Sequence, residues 1–324
     1  MIDVIQPGLY STIQDRGRFG YYGLGFPPSG SMDQFSSAAA NLLVGNLLDV
    51  PVIESTFVGP TLEFRADGLI AVTGADASVT LDGDPLPLWT SVPVSEGQQL
   101  AFAGVTGGAR NYIAVRGGFK ADVVMGSAST YVASHLGGNE GRVLQVGDQL
   151  RVGSGASTSV VVGREVKKDL RPQFRVEQTT RIVEGLCHYL LSDVSKSALI
   201  TDLFTVSTEA NRVGYRLSGD PLTFIERQQP FGAGSDPSNV VNLGYPVGSL
   251  QSPSGAELIC LMRDAVTGGG YATLATVIST DLDVLAQMKF PESVRFEPVT
   301  LEQALQIRET RRQRLAQIRQ SVSE

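Results

Sequence analysis

The amino-acid sequence predicts a mainly β protein with a few helices, arranged as two β-rich domains of barrel or sandwich type. Three observations lead there. The 36 glycines and 16 prolines keep the apolar runs short. Those runs are rich in β-branched residues and bounded by turn formers, the pattern of many short strands. Long amphipathic helices, which an alternating βαβ architecture needs, are few. A length of 324 residues is ample for two domains.

Along the chain, strands are expected at Val4-Ile5, 69–73, 79–81, 112–115, 160–162 and 258–262, with turns at Asp67-Gly68, Asp82-Gly83 and Gly117-Gly118. Residues 32–48 predict the first helix: Phe35, Ala38, Ala39, Leu42 and Leu43 recur at helical spacing, and Asp33 can cap its start. Asn41 costs helix propensity there and so needs a partner, whereas Asn46 serves as C-terminal punctuation. A shorter helix is expected over 282–288. The last, over 300–321, opens with a capping box of Thr300 and Gln303. Its arginines (Arg308, Arg311, Arg312, Arg314, Arg319) look like a solvated face, and its apolar face fades after Ile307. The charged segment 163–172 interrupts the strand pattern and is the linker candidate, giving domains over 1–165 and 173–324.

A net charge of −7 argues against a primary role on nucleic acid but not against a small anion, which a local arginine pair can hold. Cys187 and Cys260 lie far apart without CxxC spacing and are expected to be buried thiols, as in a cytoplasmic protein. No signal peptide or membrane span is expected. Two histidines, His135 and His188, leave little for a histidine metal site or a Ser-His-Asp triad.

The chemistry-bearing segments are polar turns. Gln14-Asp15-Arg16-Gly17-Arg18 packs amide, carboxylate and guanidinium groups between glycines; it can present Asp15 and Arg16 at a cleft mouth or staple a loop with a local ion pair. Ser29-Gly30-Ser31-Met32-Asp33 leads into the first helix, where free N–H groups can bind an anion or simply be capped. Thr267-Gly268-Gly269-Gly270 allows close backbone approach to a ligand and could form an anion nest. Val115-Arg116-Gly117-Gly118 and Gly126-Ser127-Ala128-Ser129-Thr130 are similar Gly-rich polar turns. No GxxxxGK[ST] and no strand-to-helix GxGxxG occurs.

In order, these segments resemble the allophanate hydrolase subunit 2 family, also called the KipA or 5-oxoprolinase C-subunit family, which is similar to half of the carboxyltransferase domain of urea carboxylase. The resemblance runs from Gln6-Pro7-Gly8-Leu9 and the two N-terminal motifs through Ala40-Asn41-Leu42-Leu43-Val44-Gly45-Asn46, Glu54-Ser55-Thr56 with Gly59-Pro60, Val72-Thr73-Gly74-Ala75-Asp76, Arg116-Gly117-Gly118 and Gly214-Tyr215-Arg216-Leu217 to Val294-Arg295-Phe296. It implies two tandem cyclophilin-like β-barrels, a KipI-like partner (the B component of such complexes) and a separate amidohydrolase (the A component). It also implies ATP-dependent opening of 5-oxoproline, with ATP shared with the partner and no intrinsic biotin. By the resemblance, Asp15, Arg16 and Asp33 would be catalytic; Gln14, Ser29, Asn41, Arg116, Arg212 and Gln251 would bind substrate; and Thr267, Gly268, Gly269 and Gly270 would bind the cofactor. Arg16 and Arg212 would hold anionic groups, while Asp15, Asp33 and Asn41 position the amide.

The second half departs from the family pattern. Asn211 stands where the family has aspartate, Leu243 where it has glutamate, and Ala265-Val266 where it has an Arg-Gln pair. Several polar groups missing together imply a remodelled, less polar pocket or lost chemistry. Two alternatives to the lactam-opening role stay open: a carboxyltransferase component of a biotin-dependent urea or amide carboxylase, and a non-catalytic KipA-like antagonist of a kinase inhibitor.

Overall fold

In the computed structural model, which describes residues 1–154 and 162–323, the chain divides into two compact units. The first comprises Met1–Phe19, Ser29–Phe174 and Arg312–Glu324, the second Gly20–Pro28 and Arg175–Arg311. Among the described residues the architecture is mainly β with four α-helices.

Strand periodicity builds the first unit. Nine strands form one sheet: β1 (Ile2–Gln6), β2 (Tyr10–Gln14), β3 (Val52–Thr56), β4 (Thr61–Phe64), β5 (Gly68–Leu81), β6 (Asp84–Pro85), β7 (Ser91–Val94), β8 (Gln99–Val115) and β9 (Gln149–Leu150). Successive side chains of a strand face opposite ways. Ile53, Ile70, Val72, Ile113 and Val115 accordingly enter one core with Ile2, Val4, Leu62, Phe64 and Leu100, so the sheet curls around them. Their neighbours Val52, Leu69, Ala71, Tyr112 and Ala114 face the other way, where α1 (Gln34–Leu43) packs Phe35, Ala39, Leu42 and Leu43. Asp33 caps α1, its Oδ1 accepting from the Ser36 N–H at 2.9 Å.

The expected strands at 69–73 and 79–81 are one strand, β5, running through Gly74. Gly74 has φ +94°, and a Cβ there would lie 2.2 Å from the Arg110 carbonyl oxygen. Pairing with β8 shifts register between Gly74 and Asp76, so this glycine marks a bulge rather than a turn. The strand expected at 160–162 falls largely outside the described residues. In the segment 163–172, Val166 is fully buried in the core beneath α1.

The second unit is a closed barrel in the order β10-β17-β14-β15-β12-β11-β18. Its strands are β10 (Glu177–Glu184), β11 (Phe204–Val206), β12 (Gly214–Ser218), β14 (Ser249–Gln251), β15 (Leu258–Leu261), β17 (Thr273–Val277) and β18 (Ser293–Pro298). The parallel pairing of β10 with β18 closes the ring. Phe204, Tyr215, Leu250, Leu274 and Phe296 are buried in it, with the Phe204 and Phe296 ring centroids 5.6 Å apart. A separate ribbon pairs β13 (Asn239–Gly244) with β16 (Gly268–Tyr271). Two curled β units, one a closed barrel, meet the expectation of tandem barrels.

The remaining helices are α2 (Asp193–Thr201), α3 (Leu282–Gln287) and α4 (Leu301–Ser323). The capping box of α4 forms as expected: the Thr300 N–H donates to Gln303 Oε1 at 2.8 Å, and the Gln303 N–H to Thr300 Oγ1 at 3.2 Å. Its apolar face does not fade, however. Ile318 and Val322 are buried with Leu315 against them in the core beneath α1, and Arg314 stacks 4.3 Å from the Phe35 ring centroid. Both cysteines are buried free thiols. No described helix is long and apolar enough to cross a membrane.

Candidate functional site

Two constellations of polar groups stand out, one in each unit. The first lies at the end of β2. Gln14 is fully buried; its Nε2 donates to Thr12 Oγ1 and to the Thr130 carbonyl, both at 3.0 Å, and its Oε1 accepts from the Gly30 N–H at 3.1 Å. Asp15 is an acceptor hub: Oδ1 accepts from the Gly17 N–H (2.8 Å) and the hydroxyls of Ser127 (2.7 Å) and Ser129, and Oδ2 from the Ala128 N–H (2.6 Å). Asp15 thus ties its own turn to 127–129, and the clamp works through hydroxyls and N–H groups rather than through Arg16. Arg16 is exposed, and its side chain makes no ion pair among the described residues. Ser29 sits beside this turn at φ +52°, its Oγ fully buried with no hydrogen-bond partner among the described residues. Gly30 holds φ +90°, and a Cβ would come 2.7 Å from the Arg16 carbonyl oxygen.

Behind this loop is a buried group in which Glu54 joins Asp33. Glu54 Oε2 accepts from the Met32 N–H (2.6 Å) and the Tyr112 hydroxyl (2.8 Å), and that hydroxyl accepts from the Asp33 N–H (2.7 Å). Arg110 Nε lies 3.9 Å from Glu54 Oε1. Burial, with Glu54 and Asp33 beside it, pushes the Tyr112 hydroxyl well above its ordinary range. In the sequence Glu54 stands only as part of a motif; a carboxylate directly after Val52-Ile53 is the signal of its burial. Asn41 does have the partners its helix position called for: Nδ2 donates to the Val50 carbonyl at 2.8 Å, and Oδ1 accepts from Asn46 Nδ2 at 3.0 Å. Arg116 lies apart from these residues, lining a cavity of about 600 Å³ with Asp67, Leu69 and Val94.

The second constellation surrounds a cavity of about 410 Å³ in the second unit. Gln251 on β14, Gly268, Gly269 and Gly270 on β16, and Tyr245 all line it. The structure thereby brings Gln251 of the sequence-derived site to the Gly268-Gly269-Gly270 run. The Tyr271 N–H donates to the Tyr245 hydroxyl at 2.6 Å, and a Cβ on Gly269 would meet that hydroxyl at 3.0 Å. Burial pushes the Tyr245 hydroxyl up, so it is neutral at physiological pH. Arg212 points elsewhere: buried, it grips Asp264 with Nε to Oδ2 at 2.7 Å and Nη2 to Oδ1 at 3.1 Å. The positions that depart from the family pattern converge here. Asn211 and Val266 line the cavity, and Leu243 and Ala265 cluster with Tyr245 and Leu261.

Nucleotide fits this cavity poorly. Gly268–Tyr271 is extended strand, and none of its glycines has positive φ, so the alternating backbone of an anion nest is absent. Arg216 is committed to Glu209 Oε2 at 3.0 Å and to Glu257. The Met-Lys dipeptide that biotin carriers modify does occur, as Met288-Lys289 after α3. Met288 is buried, and Lys289 Nζ donates to Glu292 Oε1 at 2.8 Å, unlike the exposed lysine a carrier needs.

A curled sheet followed by a closed barrel, with polar loops and no nucleotide motif among the described residues, defines the class as a two-unit β protein. Residues 24–298 match the family described as carboxyltransferase domain, subdomain A and B, and the chain belongs to that family. It is 33% identical over 320 residues to the C subunit of 5-oxoprolinase from Escherichia coli (strain K12), covering 98% of this chain and 97% of that protein. It is also 33% identical over 316 residues to urea amidolyase of Saccharomyces cerevisiae, covering 95% of this chain but only 17% of that protein. The crystal structure of the K. lactis urea amidolyase superposes with a TM-score of 0.92 at 29% identity, covering 98% of this chain and 20% of that one.

Proposed function

We propose that the chain is the C component of an ATP-dependent 5-oxoprolinase, a lactam-opening amidohydrolase, and that it works with a KipI-like partner and a separate amidohydrolase component. The end-to-end match to the Escherichia coli 5-oxoprolinase chain carries this reading: it accounts for nearly all of both proteins, whereas the urea amidolyases contain this unit as a small part. A lactam resists water because its amide resonance must be broken, and ATP supplies the driving force for that opening. The cavity's glycines form no nest, and its lining guanidinium, Arg216, is paired with Glu209 and Glu257; in this reading ATP is shared with the partner. This chain's part is to bind and orient the amide. In this reading the Gln251 amide and neutral Tyr245 hydroxyl face the substrate, and within the first unit the Asp15 and Asp33 clusters hold their own loops in place.

The urea amidolyase likeness, at a TM-score of 0.92, supports a second reading, transfer of a carboxyl group from a carrier to an amide nitrogen. Co-expression with the KipI-like partner, followed by ADP release across lactams and ureas, separates the readings. Lactam-dependent ADP release without a biotin carrier supports the first and carrier-dependent carboxylation the second. A stable complex without turnover would leave the antagonist role.

A further inference from the structure

The polar side chains lining the cavity of the second unit belong to Glu209, Asn211, Arg216, Tyr245, Gln251 and Tyr271. Two of them, Tyr245 and Arg216, are set to take a ligand. The Tyr245 oxygen accepts the Tyr271 N–H at 2.6 Å and is hydrogen-bonded by the Gln251 side chain. Two N–H groups fill its acceptor capacity, so what the hydroxyl has left to offer is its own proton. Burial keeps that proton in place, and no acceptor for it lies among the described residues. A carbonyl oxygen held in the cavity would supply one.

Arg216 is the guanidinium of the lining, and its pairing is lopsided. Nη1 donates to Glu257, which stands outside the lining, whereas Nε lies 3.0 Å from Oε2 of Glu209, which is part of it. Nη2 donates to no group among the described residues. The Glu209 side chain is 69% exposed, and water competes for both charges of such a pair, so its contribution is small. A ligand carboxylate that reached Nε and Nη2 together would make the stronger, forked contact. Glu209 would then turn into water, and Arg216 would again face two carboxylates, so the exchange leaves no charge unpaired. Arg212 cannot take this part: it is buried, with Nε and Nη2 both held by Asp264. At about 410 Å³ the cavity lies in the range of small-molecule sites.

We propose that Arg216 is the carboxylate-recognising residue of this cavity, taking a ligand carboxylate in exchange for Glu209 while the Tyr245 hydroxyl donates to the ring carbonyl. The ligand class is a small cyclic amide that carries a carboxylate. The inference rests on the lactam-opening reading for the ring and adds to it the residue that reads the acid and the side chain that the acid displaces.

Calorimetric titration of the full chain at pH 7 with 5-oxoproline and with 2-pyrrolidinone, the same ring without its carboxylate, tests it. The expected result is binding of 5-oxoproline at least about tenfold tighter than of 2-pyrrolidinone. Arg216→Gln should erase that preference and Arg216→Lys should keep part of it, since a lysine supplies the charge without the fork. Glu209→Gln removes the competing carboxylate and should tighten 5-oxoproline by about two- to fivefold while leaving 2-pyrrolidinone unchanged. A pair that only braced the fold would give no such gain. The Glu209 and Arg216 side chains are 69% and 42% exposed, so the melting temperature should hold in these variants. Equal binding of the two rings, no binding of either, a preference that survives Arg216→Gln, or unchanged or weaker 5-oxoproline binding in Glu209→Gln would overturn the proposal. Release of ADP with 5-oxoproline by the complex that Arg216→Gln leaves intact would refute this inference alone. Arg216-dependent binding of 5-oxoproline without lactam-dependent ADP release would refute the lactam-opening reading alone.

Discussion

Asp15 shows how one side chain can hold a surface together. Its carboxylate accepts two backbone N–H groups and two serine hydroxyls, and an amide in its place would aim N–H donors at donors. Asp15→Asn should destabilise the protein by about 2–4 kcal/mol, read by urea denaturation, and should cost activity through the loop. Tyr112 makes a second residue-scale prediction. Its folded pKa is raised above the ordinary value by burial and then by Glu54 and Asp33, so its contribution is fully present below about pH 10. Above that pH the unfolded tyrosine ionises while the folded one resists, and the contribution falls. Tyr112→Phe should therefore cost about 1–3 kcal/mol at pH 7 and visibly less at pH 10.5, by denaturation at the two pH values. A constant difference would contradict the assignment.

Element by element, what could be read from the sequence depended on how local its cause is. Asp33 at the start of α1 and the Thr300–Gln303 box of α4 act within one turn, and both helices begin where those residues place them. α2 was not foreseen because only Ser195 and Leu199 of its nine residues are buried, which leaves almost no apolar stripe to detect. The strands expected separately at 69–73 and 79–81 are one, because at Gly74 β8 approaches so closely that only glycine fits within a continuing strand. The C-terminal half of α4 looked solvated because its apolar residues are sparse, yet Ile318 is fully buried. Ile318→Ala should destabilise by about 2–4 kcal/mol by denaturant titration, and a surface-like value below about 0.5 kcal/mol would contradict the packing described.

At the scale of the whole molecule, the family and the β architecture were legible because motif order runs the length of the chain. The composition of the cavity was not. Gln251, Tyr245 and Gly268–Gly270 are brought together by barrel and ribbon pairing between residues far apart in sequence, which no local pattern encodes. Nor does sequence reveal that residues 20–28 count with the second unit and 312–324 with the first. The departures at Asn211, Leu243, Ala265 and Val266 could be seen singly, and the fold shows them around one cavity. In the proposed role this chain serves lactam opening without a biotin-borne carboxyl group. The most direct measurement is lactam-stimulated ADP release by the co-purified complex, with and without avidin and bicarbonate. One ADP per ring opened is expected, unchanged by avidin or by removal of bicarbonate. ADP release that stops on adding avidin, or that requires bicarbonate, would contradict it.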